Sequence, residues 1–189
     1  MITIITALFK GERLGIPHST NIYTSEWADK LYRGLNRNIT SDWEMVCLVD
    51  EEYNFNEPIR SIPFLDATSP GWSLLAEMYR SDITTNRRLT IGLDTIICSN
   101  IDDIISFPLD IGLVSDPMFD TDVCNAISIV SNNTAEHIWK IWTEKRDWVL
   151  KECRLPPWDC LLYTSPSPRD QRGSRVPSSG CKKKGGGGG

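Results

Sequence analysis

Hydrophobic positions follow two rhythms along the 189-residue chain. Short runs rich in β-branched residues alternate with stretches that are apolar every three or four positions. Ile2 to Phe9 is apolar at nearly every position, which predicts a strand buried on both faces. After a loop with Gly11, Gly15 and Pro17, Ser25 to Asn36 places Trp27, Leu31 and Leu35 at helical spacing, with Ser25 as the N-cap. Met45 to Val49 reads as a second buried strand running into Asp50-Glu51-Glu52, and Ile59 to Leu65 as a third. Pro70 to Arg80 predicts a helix with proline in its first turn. Leu89 to Leu93 predicts a strand, with Thr95 to Cys98 as its extension beyond Asp94. Ile111 to Val114 and Ala126 to Val130 are further strands. Thr134 to Cys153 predicts an amphipathic helix with Ile138, Ile141, Trp142, Trp148 and Val149 on its apolar side. Strands alternating with helices predict an α/β domain with a mostly parallel sheet flanked by helices. Ligands of such sheets bind beyond the carboxyl ends of the strands.

Composition divides the chain in two. Residues 160–189 hold seven of the 13 Gly and one acidic residue, Asp170. CLLYTSPSPRD at 160–170 looks like one reading frame of the transposase adaptor used to prepare sequencing libraries, and SRVPSS at 174–179 resembles its continuation. Lys182–Lys184 and Gly185–Gly189 are what homopolymer codons would encode. The expectation is therefore a natural domain over 1–159, truncated at its C-terminus, and a non-native, disordered tail over 160–189. Without that tail the net charge moves from −5 to −10, which disfavours a nucleic-acid partner because phosphate tracking needs a basic face.

The four cysteines before residue 160 show no C-x-x-C spacing and read as free thiols, which with the absence of a signal peptide predicts a cytoplasmic setting. No apolar stretch reaches the roughly 18 residues of a membrane span. His18 and His137 are isolated and read as structural or surface residues. Asp102-Asp103 reads as the start of a helix favoured by its dipole.

The candidate chemistry lies around Asp94. A carboxylate inside an apolar strand needs a compensating partner, either Mg²⁺ or Mn²⁺ bridging a diphosphate or a structural partner such as Arg87, Arg88 or a cluster of backbone N–H groups.

ITIITALFKGE, YTSEWADKLYRGLNRNI, WEMVCLVDEE, PGWSLLAEMYR, RLTIGLDTIICSNIDDI, VCNAISIV and HIWKIW follow one another in the order seen in GT-A-fold glycosyltransferases. The resemblance covers nearly all of 1–150 and is strongest to bacterial and phage relatives of the glycogenin-like enzymes. It implies a Rossmann-like GT-A domain that binds a nucleotide-diphospho-sugar, a UDP-sugar first among them, and transfers the sugar to a hydroxyl acceptor with Mn²⁺ or Mg²⁺. Nucleotide-sugar contacts would fall on Thr6, Ala7, Tyr23, Asp50, Leu93 and Asn125, and the metal on Asp94. Gly92 stands where the first Asp of the family's D-x-D motif is usual, and Leu75 where a Lys is often found. Both remove charge complementarity to a diphosphate, so the alternative is a GT-A-like domain that binds without turnover.

Overall fold

The computed structural model describes residues 1–10, 23–69, 71–115 and 123–152. Strand β1 (Ile2–Leu8) is buried at every position, as its unbroken apolar run predicts. It pairs in parallel with β2 (Trp43–Val49) on one side and β4 (Arg87–Ile91) on the other, and β2 pairs in parallel with β3 (Ile59–Pro63). Beyond β4, β6 (Val123–Val130) runs antiparallel both to β4 and to β5 (Ile111–Ser115). The result is one six-stranded sheet of order β3-β2-β1-β4-β6-β5. The expected parallel character holds for β1 to β4 and gives way to antiparallel pairing at the β6–β5 edge.

Helix α1 (Ser25–Asn38) buries Ala28, Leu31 and Leu35 against Ile4, Leu8, Met45 and Leu89. Its N-cap is Thr24, in extended backbone and without a side-chain cap bond, so Ser25 is the first helical residue rather than the cap. Asp29 of α1 is buried, and its carboxylate accepts hydrogen bonds from the Asn56 and Glu57 amides and from Asn56 Nδ2.

The opposite face of the sheet, with Ile5, Ala7, Val46 and Leu48, packs on Phe64, Leu74, Met78 and Ile83. Leu74 and Met78 belong to η1 (Gly71–Tyr79), which coils as a 3₁₀ helix where an ordinary helix was expected; Pro70 lies outside the described residues. Buried Glu77 secures η1 by accepting the Leu65 and Asp66 amides and pairing with Arg80 at 3.0 Å.

Helix α3 (Asn132–Glu152) packs Ala135, Ile138 and Trp142 on Ala76, Tyr79 and Val130. The backbone is non-helical at Lys145 (φ −127°, ψ 24°), and beyond it Val149 is buried while Trp148 is 49% exposed, as expected of neighbours about 100° apart around a helix. The expectation that both lie on one buried side is corrected accordingly. After this kink Arg146 reaches Asp66 and Ser69 at 2.6 Å each and lies over the Trp142 ring.

Two further expectations change. Residues 95–98 are not strand: the chain turns after β4, with the Thr95 amide donating to Gly92 O at 3.1 Å. Asp102 opens α2 (Asp102–Ile105) but makes no cap bond to it. Its carboxylate accepts from the Thr40 and Ser41 hydroxyls and from Asn100, which hold it well below the usual carboxylate range. No described helix is long and apolar enough to cross a membrane.

Candidate functional site

Parallel strands β1 and β4 end side by side, and η1 crosses beside them. A cleft of about 130 Å³ opens there, at the carboxyl edge where α/β sheets place ligands. Ala7 and Phe9 enter it from β1 and its extension, Ile91 and the turn Gly92-Leu93-Asp94 from β4, and Tyr23 from just ahead of α1. The 3₁₀ geometry of η1 supplies the remaining wall. With three residues per turn, side chains at i, i+3 and i+6 form one row, and Trp72, Leu75 and Met78 all line the cleft.

Its polar groups are at the rim. Tyr23 donates its hydroxyl to Asp94 Oδ2 at 2.8 Å and sets its ring edge-on to Trp27. Burial, and then the Asp94 carboxylate, push the phenol above its usual range. Asp94 itself is exposed, because β4 ends at Ile91 and the chain has already turned. It is therefore not the carboxylate buried in a strand that the sequence suggested. Neither arginine proposed as its partner reaches it among the described contacts: Arg87 donates to Leu109 O, and Arg88 to the Met78, Arg80 and Thr84 carbonyls and to Asn132.

A Cβ placed on Gly92 would sit 3.2 Å from Asp94 Oδ1, so positions 92 and 94 converge on one point. Only one of them carries a carboxylate. Among the described residues no group of three or more His, Cys, Asp or Glu comes together. Mg²⁺ is usually held by one or two carboxylates together with substrate phosphates. The described side chains thus do not fit a self-sufficient cation site, and Asp94 would act as a ligand only beside oxygens that a bound donor brings.

The structure separates the expected nucleotide contacts. Ala7, Tyr23, Leu93 and Asp94 share the cleft. Thr6 does not line it, because successive strand residues face opposite sides. It lies between Ile4 and Leu8, which face the α1 core, and its buried hydroxyl has no hydrogen-bond partner among the described residues. Asp50 joins strand ends instead, accepting from the Lys10 amide at 3.0 Å and the Tyr53 hydroxyl at 3.1 Å. Asn125 lies on β6, and its side chain is outside what the structure describes. Residues 160–189 likewise lie outside the described residues.

Asp94 forms a ridge between the cleft and a second groove of about 260 Å³ on the α1 side, lined by Trp27, Lys30, Arg37, Ile96 and Ile97. Among the described residues no cationic side chain lines the cleft, and two line the groove. Phe9 and Trp72 are the site residues that the sequence reading passed over. The available signals were an aromatic at the carboxyl end of a buried strand, and a Trp whose row would show only once η1 was known to be 3₁₀.

This architecture, a six-stranded mixed sheet flanked by helices, is shared with solved glycosyltransferase structures. It is similar to the crystal structure of the glycosyltransferase GlyE from Streptococcus pneumoniae TIGR4, with a TM-score of 0.60 at 10% identity over 93% of this chain and 45% of that one. The apo form of GlyE matches at a TM-score of 0.53 and 13% identity, over 80% of this chain and 39% of that one. This chain thus spans less than half the length of these structures, and identities so low establish the fold alone. No protein-family model and no curated protein matches the sequence.

Proposed function

We propose that the chain binds a nucleotide-diphospho-sugar at the cleft between β1, β4 and η1 and passes the sugar to a hydroxyl acceptor, as a GT-A-like glycosyltransferase. The observation that carries this reading is the placement of Ala7, Tyr23, Leu93 and Asp94 around one cleft at the carboxyl edge of a glycosyltransferase fold. Asp94 offers a charge-assisted acceptor, held in orientation by Tyr23. The donor's phosphates would lie across the Leu93–Asp94 ridge, where Lys30 and Arg37 of the adjoining groove provide positive charge. Mn²⁺ or Mg²⁺ would join through Asp94 and those phosphate oxygens. A UDP-sugar is the donor to test first.

Binding without turnover is the second reading, favoured by the single carboxylate at the 92/94 convergence and by Leu75 on the cleft wall. Calorimetric titration with UDP-sugars, with and without Mn²⁺, tests the binding that both readings share. Asp94→Asn is expected to weaken it by about tenfold or more, since hydrogen bonds to charged groups contribute roughly 1.5–3 kcal/mol. Undiminished affinity in Asp94→Asn would overturn the role assigned to this carboxylate. Release of free UDP in the presence of hydroxyl acceptors separates transferase from binding domain.

A further inference from the structure

We propose that the cleft recognises one neutral sugar ring directly, with Trp72 as the surface against which the ring stacks and without need of a divalent cation. The proposal rests on the nucleotide-sugar reading and specifies which part of the donor this cleft takes.

Three observations converge on it. First, Trp72 remains 39% exposed while lining the cleft. It is held in place by an edge-to-face contact with Phe9 (5.7 Å between centroids, 76°), which in turn meets Phe64 edge-on at 6.0 Å and 85°. An indole supported in this way presents a broad apolar surface whose orientation is already set, so little conformational freedom is lost on binding. Second, no cation is among the described residues of the lining, and Leu75 and Met78 complete the row begun by Trp72. A diphosphate placed here would lose its hydration without compensation, whereas a ring with an apolar C–H face would not. Third, one lining brings together the Trp72 ring and the Asp94 carboxylate, an apolar surface and a hydrogen-bond acceptor.

A pyranose matches this arrangement. Its C–H face meets the electron-rich face of an aromatic ring, while its hydroxyl edge donates to a carboxylate. Asp94 is exposed at the rim for that purpose, its Oδ2 already taking the Tyr23 hydroxyl and so fixing the carboxylate plane.

The test compares UDP with UDP-glucose, UDP-galactose and UDP-N-acetylglucosamine in EDTA by calorimetry, with the affinity for UDP alone as reference in each variant. At least one UDP-sugar is expected to bind more tightly than UDP. In Trp72→Ala and Trp72→Leu that sugar-dependent gain falls by roughly fivefold to tenfold, and in Trp72→Phe most of it returns. A gain that appears only with Mn²⁺, or that survives Trp72→Ala, overturns the proposal while leaving the nucleotide-sugar reading intact. If neither UDP nor any UDP-sugar binds the wild-type chain with or without Mn²⁺, the nucleotide-sugar reading fails and the stacking role falls with it.

Discussion

Arg88 is wholly buried in β4, and its guanidinium ties together three separate elements. Nη1 donates to Met78 O at 3.3 Å and Arg80 O at 3.0 Å, and Nη2 to Thr84 O at 3.0 Å and Asn132 Oδ1 at 2.9 Å. It therefore joins the end of η1 and the following turn to the start of α3. Burial pulls its pKa down to about 10, so the charge is held against an opposing desolvation. Arg88→Leu relieves that opposition, worth on the order of 3 kcal/mol. It also removes four hydrogen bonds from a charged donor, at about 1.5–3 kcal/mol each, and strands their buried acceptors. The second effect exceeds the first, and the expected net loss is about 3 kcal/mol or more. At about 2–4 °C per kcal/mol for a domain of this size, Tm should fall by roughly 6–12 °C or more, read by far-UV circular dichroism and checked by urea titration. A Tm within about 2 °C of wild type would show that the carbonyls find other donors, and would refute the claim that Arg88 holds η1 to α3.

Asp66 and Arg146 make a pH prediction. Thr68 and then Arg146 hold the Asp66 carboxyl down to about 2. A depressed carboxylate adds stability above its unfolded value near 3.8 and loses it as pH falls toward 2. Arg146→Met should therefore flatten the acid limb of the stability profile between those values while changing neutral stability by less than about 1 kcal/mol, because the pair is partly exposed; acid unfolding followed by circular dichroism that matches wild type through that window would contradict it. Gly112→Ala places a Cβ at 2.8 Å from Ile129 Cγ2 and 2.9 Å from the Phe107 ring. Overpacking of this kind should cost about 1–3 kcal/mol in urea denaturation, and a neutral substitution would show that β5 yields without strain.

Much of the fold was legible because burial on two faces leaves a plain signature. The unbroken apolar run of β1 and the three- to four-residue spacing of Trp27, Leu31 and Leu35 each correspond to an observed element. What was not legible depended on contacts distant in sequence. The antiparallel pairing of β6 with β4 joins Ile91 to Ile127, and no local periodicity records strand direction. Helix η1 is tied down by Glu77, whose carboxylate takes the Leu65 and Asp66 amides from another loop, a contact no local pattern records. The non-helical backbone at Lys145 cannot be read from helical spacing.

Of the expected contacts, Ala7, Tyr23, Leu93 and Asp94 share one cleft while Thr6 and Asp50 do not line it, and the electrostatics of Asp94 were misread in an informative way. Asp94 attracted attention as a carboxylate expected inside a strand, where an uncompensated charge is costly. The strand ends three residues earlier, and Asp94 is exposed. Among the described residues the acidic and basic side chains that are buried are Asp29, Glu77, Arg80 and Arg88. Each is answered by hydrogen-bonding or ionic partners, with backbone groups among them: amides for the two carboxylates, carbonyls for the two arginines. The cost of burying charge thus identifies the groups that hold this structure together. Asp94 carries no such cost, since water already solvates it and Tyr23 orients it. A carboxylate left accessible at the carboxyl edge of the sheet, beside an aromatic wall and hydrogen-bonded by Tyr23, can accept hydrogen bonds from a ligand. That availability, rather than a buried charge seeking a metal, is the physical basis for placing sugar recognition at Asp94 and Trp72.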